Sequence, residues 1–490
     1  MNKRIICLVT AITLIVTSLF SCSANNDGEQ NSTSGYDATT GTLTETTASK
    51  VLPDLPASDF EGYRFKVLTK GPEFNEWANM DIYAESQNAD TINDAVYSRN
   101  RYVENKYNFQ VAEVPSSGDM TVSVRKSVSS GDEAYDAIVP NMLTQATLAV
   151  AGCLVDLNEV PKLDLTKMWW DQRANADLSI GKKLYFTVSD LIIMDNDATW
   201  LVIFNKKLIE DFTLEDPYEL VRSGNWTFDK LNDMSKGISK DLNGDGQMTS
   251  EDLFGSVQQG ENMTAFYLAS GEHFVTKDTQ DFPVATMDSE RSISVIDKIC
   301  DMMFDNQISF NYWDLTVPDN IVTQKMFENN QAVFKITALQ LVIRMREMET
   351  SFGIIPMPKY DSTQQEYGHY VHPTASAISI PTSNNNLERT GIILEALTAE
   401  SRYTLRPAYY EKAISNKYLR DDESIEMLDI IIASRAFDLS TMFGWNGLGS
   451  VLEDMYRSKK RDFISAYERQ SDAYKTAIDK TISTLTALES

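Results

Sequence analysis

Three observations predict an α/β fold arranged as two lobes. From Tyr63 to Val139, apolar runs and helix-period segments follow one another, which is the strand–helix–strand order of a parallel sheet covered by helices. The chain has 490 residues, more than one ordinary core serves, so two lobes are expected. An apolar content of 42% with 10% aromatic residues is that of a globular protein and not of a disordered one.

Tyr63–Leu68 alternates apolar and polar side chains and reads as the first strand. A polar loop with Gly71, Pro72 and Trp77 follows. Thr91 is expected to cap a helix over Ile92–Lys106, with Ile92, Val96 and Val103 on one face. The strand Phe109–Val114, another helix and the short strand Ala137–Val139 complete the pattern. Ligands of such sheets sit beyond the carboxyl ends of the strands, a position held here by Asn141 and by the loop after Tyr63–Leu68. Leu184–Val188 and Thr199–Phe204 read as strands around a polar loop, and Phe334–Thr337 and Ala375–Ile380 as two more. From Leu387 onward the chain reads as largely helical, with no internal repeat and no heptad run.

The amino terminus has the layout of a secretory signal. Lys3 and Arg4 precede an apolar stretch from Ile5 to Phe20, and Leu19-Phe20-Ser21-Cys22 closes it. This resembles a bacterial lipoprotein signal, which implies cleavage before Cys22 and acylation of that cysteine. The apolar run is shorter than the roughly 20 residues of a spanning helix. Ser23–Lys50 is rich in Ser, Thr, Asn and Gly and buries too little to fold. As a flexible coil it would reach on the order of 30 Å from a membrane face.

The formal charge is −27, and removing the signal takes away two cations and no acid. Such a field repels nucleic acid and anionic lipid. Cys7 would leave with the signal and Cys22 would carry lipid, so Cys153 and Cys300 would remain, either as two buried thiols or as one bridge. Neither belongs to a CxxC or Cys/His cluster, so zinc and redox sites have no support.

Several segments together resemble the extracellular solute-binding proteins of ABC importers (family 1, maltose-binding-protein-like). They are Tyr135–Val139 with Gly152–Leu157, Trp170–Gln172 with Gly181–Tyr185 and Phe204–Leu208, Trp226–Asp229, Met326–Phe334, and Gly353–Pro358. Their order runs across most of the chain after the signal. The resemblance implies a periplasmic-binding-protein-like type II fold, two α/β lobes joined by a hinge of crossing strands. It implies a signal peptide over 1–21, a lipidated Cys22 and tether over 22–54, lobe one over 55–188 plus 376–420, and lobe two over 189–375 plus 421–490. Leu184–Asp190 and Ala375–Pro381 would cross between lobes, with a third crossing near Leu419–Asp421.

Sugars present apolar C–H faces and a ring of hydroxyls, so a site for them needs flat aromatic platforms and amide or carboxylate partners. Trp77 and Asn141 are candidates because they follow strands of the first sheet. The resemblance adds Asp195, Asn196 and Asp197 in the polar loop, Gln340 and Arg344 after the Phe334–Thr337 strand, and Trp445 with Asn446 as a stacking platform and its neighbour. Trp169, Trp170 and Trp226 read as packing residues instead.

Asp241 to Asp252 is a twelve-residue loop with oxygen-bearing side chains at the calcium-ligand places and Gly246 at the sharp turn. Asp241, Asn243, Asp245, Thr249 and Asp252, with the carbonyl of Gln247, are expected to hold a structural Ca²⁺. It resembles EF-hand and dockerin-type loops, with Asp252 in place of the usual glutamate. The spacing of His369 and His372 lacks a matched carboxylate or cysteine, and a metal there has no support. No nucleophile elbow, Walker loop or dinucleotide fingerprint is present, so no catalytic residue and no catalytic cofactor is expected. The resemblance implies a lipid-anchored, extracytoplasmic monomer that captures a small-molecule ligand, a carbohydrate or oligosaccharide, by hinged lobe closure. It would then dock on ABC permease subunits, with no nucleic-acid partner. Two competing readings are a surface sensor or binding protein for a non-sugar solute and a secreted glycan hydrolase.

Overall fold

The computed structural model describes residues 50–305, 308–345, 348–415 and 422–488. The signal, Cys22, residues 23–49 of the tether, and the expected crossing near Leu419–Asp421 lie outside the described residues.

Strand β1 (Tyr63–Lys70) is followed by helix α1 (Thr91–Tyr107) and β2 (Phe109–Ser116), then by α2 (Met120–Ser130), β3 (Ala137–Ile138) and α3 (Met142–Val150). The strands form a three-stranded sheet in the order β2-β1-β3, parallel throughout. Phe65, Val67 and Leu68 of β1 and Ile92, Val96 and Val103 of α1 are all buried in one core, and the three α1 residues are the apolar stripe that the helical period predicts. The cap is a correction: Asp90, not Thr91, accepts from the backbone N–H groups of Ile92 and Asn93 (3.1 and 3.0 Å). A carboxylate one residue upstream serves two of the orphan donors of the first turn, and it leaves Thr91 as the first helical residue.

A second sheet holds β4 (Trp200–Asn205), β5 (Phe254–Gln258) and the strands Ser309–Asn311, Ala332–Ala338 and Phe352–Ile355. Its order across the sheet is 352–355, β4, 332–338, β5, 309–311. The strand 332–338 runs parallel to β5, and β5 parallel to 309–311, whereas β4 runs against both of its neighbours. Every residue of β4 is buried, which is why its Trp-Leu-Val-Ile-Phe run does not alternate.

The segment 375–381 does not form the continuous strand expected of it, and neither does Leu184–Val188. They meet through single bridges instead: Thr187 with Ile378, Ile138 with Ser379, Asn141 with Ser376 and Leu154 with Pro381. The segment divides its backbone hydrogen bonds among several neighbours, so no partner keeps it for a run of rungs. Residues after Leu387 form helices, among them Leu387–Ser401, Leu405–Ser415, Asp422–Ala433, Val451–Ser458 and Ser471–Ala487. Among the described residues no helix is long and apolar enough to cross a membrane.

Trp169 and Trp170 are core residues, 1% and 2% exposed. Their indole N–H groups donate to the two carboxylate oxygens of Glu395 at 3.0 and 2.9 Å. Burial pushes the Glu395 carboxyl up to about 7. Glu395→Ala would leave two buried indole donors unpaired, and a loss of about 2 kcal/mol of stability is expected in urea unfolding. An unchanged midpoint would show that the indoles find other acceptors. Trp226 is fully buried and donates to the Pro356 carbonyl at 2.8 Å. Cys153 and Cys300 are free buried thiols; burial pushes the Cys300 thiol up to about 12.

Candidate ligand crevice

The loop after β1 turns into a short helix, Pro72–Trp77, which places Glu76 and Trp77 beyond the carboxyl end of the first sheet. Facing them are carboxyl ends of the second sheet. Gln259 and Glu261 follow β5, Tyr312 follows the strand 309–311, and Gln340 follows 332–338. Because β4 runs the opposite way, its first residue, Trp200, pairs with Ala338 and arrives at the same edge. These residues, with His372 and Thr374, line a crevice of about 820 Å³, open solvent at its mouth included. That is room for a small ligand. Gln340 Nε2 donates to the Glu76 carbonyl at 2.9 Å, tying the two edges together.

Close packing shapes the wall. A Cβ on Gly260 would lie 2.0 Å from the Trp313 ring, so only glycine lets that ring close beneath the 259–261 turn. Asn262 Oδ1 accepts from the Gln259 N–H at 2.6 Å and holds the turn. Trp200 is 3% exposed and stacks on Tyr370, with centroids 6.3 Å apart. Burial pushes the Tyr312 hydroxyl up to about 12. It also pushes the His372 imidazole down to about 4, and Nδ1 of that ring accepts from the Thr374 N–H at 3.3 Å. His372 is therefore neutral.

The same strand ends carry buried polar atoms without hydrogen-bond partners. They are Trp200 Nε1, Gln258 Oε1, Glu261 Oε2, Asn262 Nδ2, Asn311 Nδ2 and Thr337 Oγ1. Each such atom costs free energy in the folded chain, and of these residues Trp200 and Glu261 line the crevice.

Of the candidates from the sequence, the crevice brings together Trp77 and Gln340. Arg344 ends the helix Leu339–Arg344, but its side chain lies outside the described residues. The others are placed elsewhere. Asn141 spends its side chain as the cap of α3, accepting from the Thr144 N–H at 2.9 Å. Asp195 and Asn196 accept from the buried Arg435, which also binds Asp171. Asp197 accepts from the Tyr409 hydroxyl at 2.8 Å. Trp445 is a correction: it is 3% exposed, stacked on Phe443, and donates through Nε1 to Thr481 at 3.0 Å. The turn Gly444–Gly447 swings that ring into the core and leaves Asn446 exposed at φ 60°. Trp200, Tyr312, Gln259, Glu261, His372 and Thr374 escape the sequence reading, chiefly because β5 and 309–311 are too short to show a period.

In the Asp241–Asp252 loop the candidate oxygens are turned onto backbone donors. Asp241 accepts from Gly244 and Gly246, Asn243 from Asp245, Asp245 from Gln247, and Asp252 from Leu242 and Thr249. Among the described residues no three His, Cys, Asp or Glu side chains converge on one point as metal ligands do. His369 is buried, and its ring nitrogens meet the Met357 N–H (3.0 Å) and Ser434 Oγ (2.8 Å).

No family model and no curated protein matches the sequence. Solved structures do match the fold. A cyclo/maltodextrin-binding protein complexed with maltotetraose is similar at TM-score 0.54 and 12% identity, over 88% of this chain and 98% of that one. UgpB from Mycobacterium tuberculosis, in complex with glycerophosphocholine, is similar at TM-score 0.54 and 13% identity, over 79% and 96%. UspC from M. tuberculosis is similar at TM-score 0.54 and 11% identity, over 86% and 100%.

Proposed function

The chain has the type II periplasmic-binding-protein-like fold, two α/β lobes, and from that premise we propose that it is the substrate-binding protein of an ABC importer, taking a carbohydrate or oligosaccharide. The observation that carries this reading is the crevice. Trp77, Trp200 and Tyr312 bring aromatic rings to one edge, beside buried polar atoms that lack partners. Flat rings cover the C–H faces of a sugar, and polar lining groups such as Gln259 and Glu261 would take its hydroxyls. Contacts made only in a closed state would shift the lobes toward closure, and that form would dock on a membrane permease. Cys22 would hold the protein at the membrane through lipid. A Cys22→Ala chain that still sediments with membranes would overturn the anchor.

The test is a thermal-shift screen of the folded chain over neutral mono- and oligosaccharides, followed by small-angle scattering with each hit. A sugar that binds only the folded form raises the melting point with concentration, and the bound form is expected to be more compact. A screen without a hit overturns the carbohydrate reading; a hit without compaction overturns the closure mechanism.

The loop Asp241–Asp252 is proposed to bind Ca²⁺ structurally, on the spacing of its oxygens alone. Calorimetric titration with CaCl₂ after chelator treatment is expected to show one binding event that Asp241→Asn removes. A flat titration leaves an Asx-rich turn and no metal.

A further inference from the structure

We propose that this crevice selects a sugar carrying a protonated amine and turns anionic sugars away. The proposal rests on the carbohydrate reading above and narrows it. Among the described lining residues the only charged side chains are carboxylates, Glu76 and Glu261, and no lysine or arginine is present. The imidazole there, His372, is held neutral by burial.

Glu261 is the centre of the argument. Its Oε2 is buried without a hydrogen-bond partner beside the crevice. Trp200 Nε1 is likewise unpartnered, on a side chain 3% exposed, so polar atoms of both kinds await a ligand at this edge. Burial raises the Glu261 carboxyl above its usual range, and Arg457 opposes that rise. That guanidinium lies over the Trp313 ring, 4.2 Å from its centroid. Behind it Glu453 is pushed up to about 7, by burial first and by Glu261 next. Lys70, whose Nζ donates to the Thr374 carbonyl at 3.3 Å, is answered by Asp81.

A buried carboxylate with a free oxygen is costly, and an ammonium group relieves it through a charge-assisted bond that a neutral hydroxyl does not match. The rings of Trp77 and Tyr312 add faces on which a cation is stabilised. A ligand carboxylate or phosphate would meet Glu261 with like charge.

Calorimetry on the intact chain tests this with glucosamine, glucose and glucuronate, each as the monosaccharide and as the β-1,4-linked tetramer. The amine form is expected to bind about tenfold or more tightly than the neutral form, as one charge-assisted bond allows, and the glucuronate form not at all. In Glu261→Gln the amine-to-neutral affinity ratio is expected to fall toward one. Equal binding of amine and neutral forms overturns this inference and leaves the carbohydrate reading standing. So does tightest binding of glucuronate, or a ratio unmoved in Glu261→Gln. If none of the six binds, the inference falls, and the wider neutral-sugar screen decides the carbohydrate reading separately. The ratio in the unmodified chain is decisive even where the variant does not fold.

Discussion

Trp77→Ala is expected to weaken binding of the best neutral sugar about a hundredfold, close to 2.7 kcal/mol. The indole is half-buried and ends the short helix Pro72–Trp77, so it is held at the crevice by its neighbours and not by a ligand. Aromatic side chains of this size dominate the energetics of apolar contact faces. The folded state depends less on Trp77 than on Trp200, which is 3% exposed and stacked on Tyr370. Trp77→Ala therefore separates binding from folding: the melting point without ligand should move little while the dissociation constant rises. Trp77→Phe should recover part of the affinity. Full affinity in Trp77→Ala would place the ligand away from this loop.

Arg435→Met is expected to cost about 3–5 kcal/mol in denaturant unfolding, the usual result of removing one member of a buried charge network. Arg435 is 7% exposed and its guanidinium binds Asp171 and Asp195. Asp195 Oδ1 already lacks a partner, so the variant would leave that buried carboxylate without its cation. Burial raises Asp195 from 3.8 to about 6, with Arg435 pulling the other way. The sign of the pH dependence follows. The folded chain holds this proton more tightly than the unfolded chain, so the stability from this group is fully present below 3.8 and is lost as pH rises toward about 6. Asp195→Asn should remove that slope. Arg435→Met, lacking the opposing cation, should extend the slope to higher pH. A flat difference between the native chain and Asp195→Asn across this range would show that Asp195 does not carry it.

The α/β organisation is legible in the residues because it rests on periodicity. The runs Tyr63–Leu68, Phe109–Val114 and Phe334–Thr337 fall within observed strands, Thr199–Phe204 does so from Trp200 onward, and the apolar stripe of α1 is buried in the core. Chain order also carries Trp77 and Gln340 to the carboxyl ends of strands, where the crevice forms. The helix cap is misread by one residue because Asp90 and Thr91 are both good caps, and only the backbone path decides which side chain reaches the first free N–H groups.

Direction is what the amino-acid order does not encode by itself. Trp445 and Trp77 are the same residue type after similar polar turns, yet one enters the core against Phe443 and Thr481 and the other the crevice. Asp195 and Asn196 read as ligand contacts until Arg435, distant in the chain, arrives beside them. Glu261 and Tyr312 follow strands too short for any pattern, and only their parallel pairing puts them on one edge. Local periodicity and turn chemistry thus dictated the layers of this protein, since each depends on neighbours within a few residues. Which side chains share a crevice was decided by long-range strand pairing, since burial and charge compensation act between residues that meet only once the chain has folded.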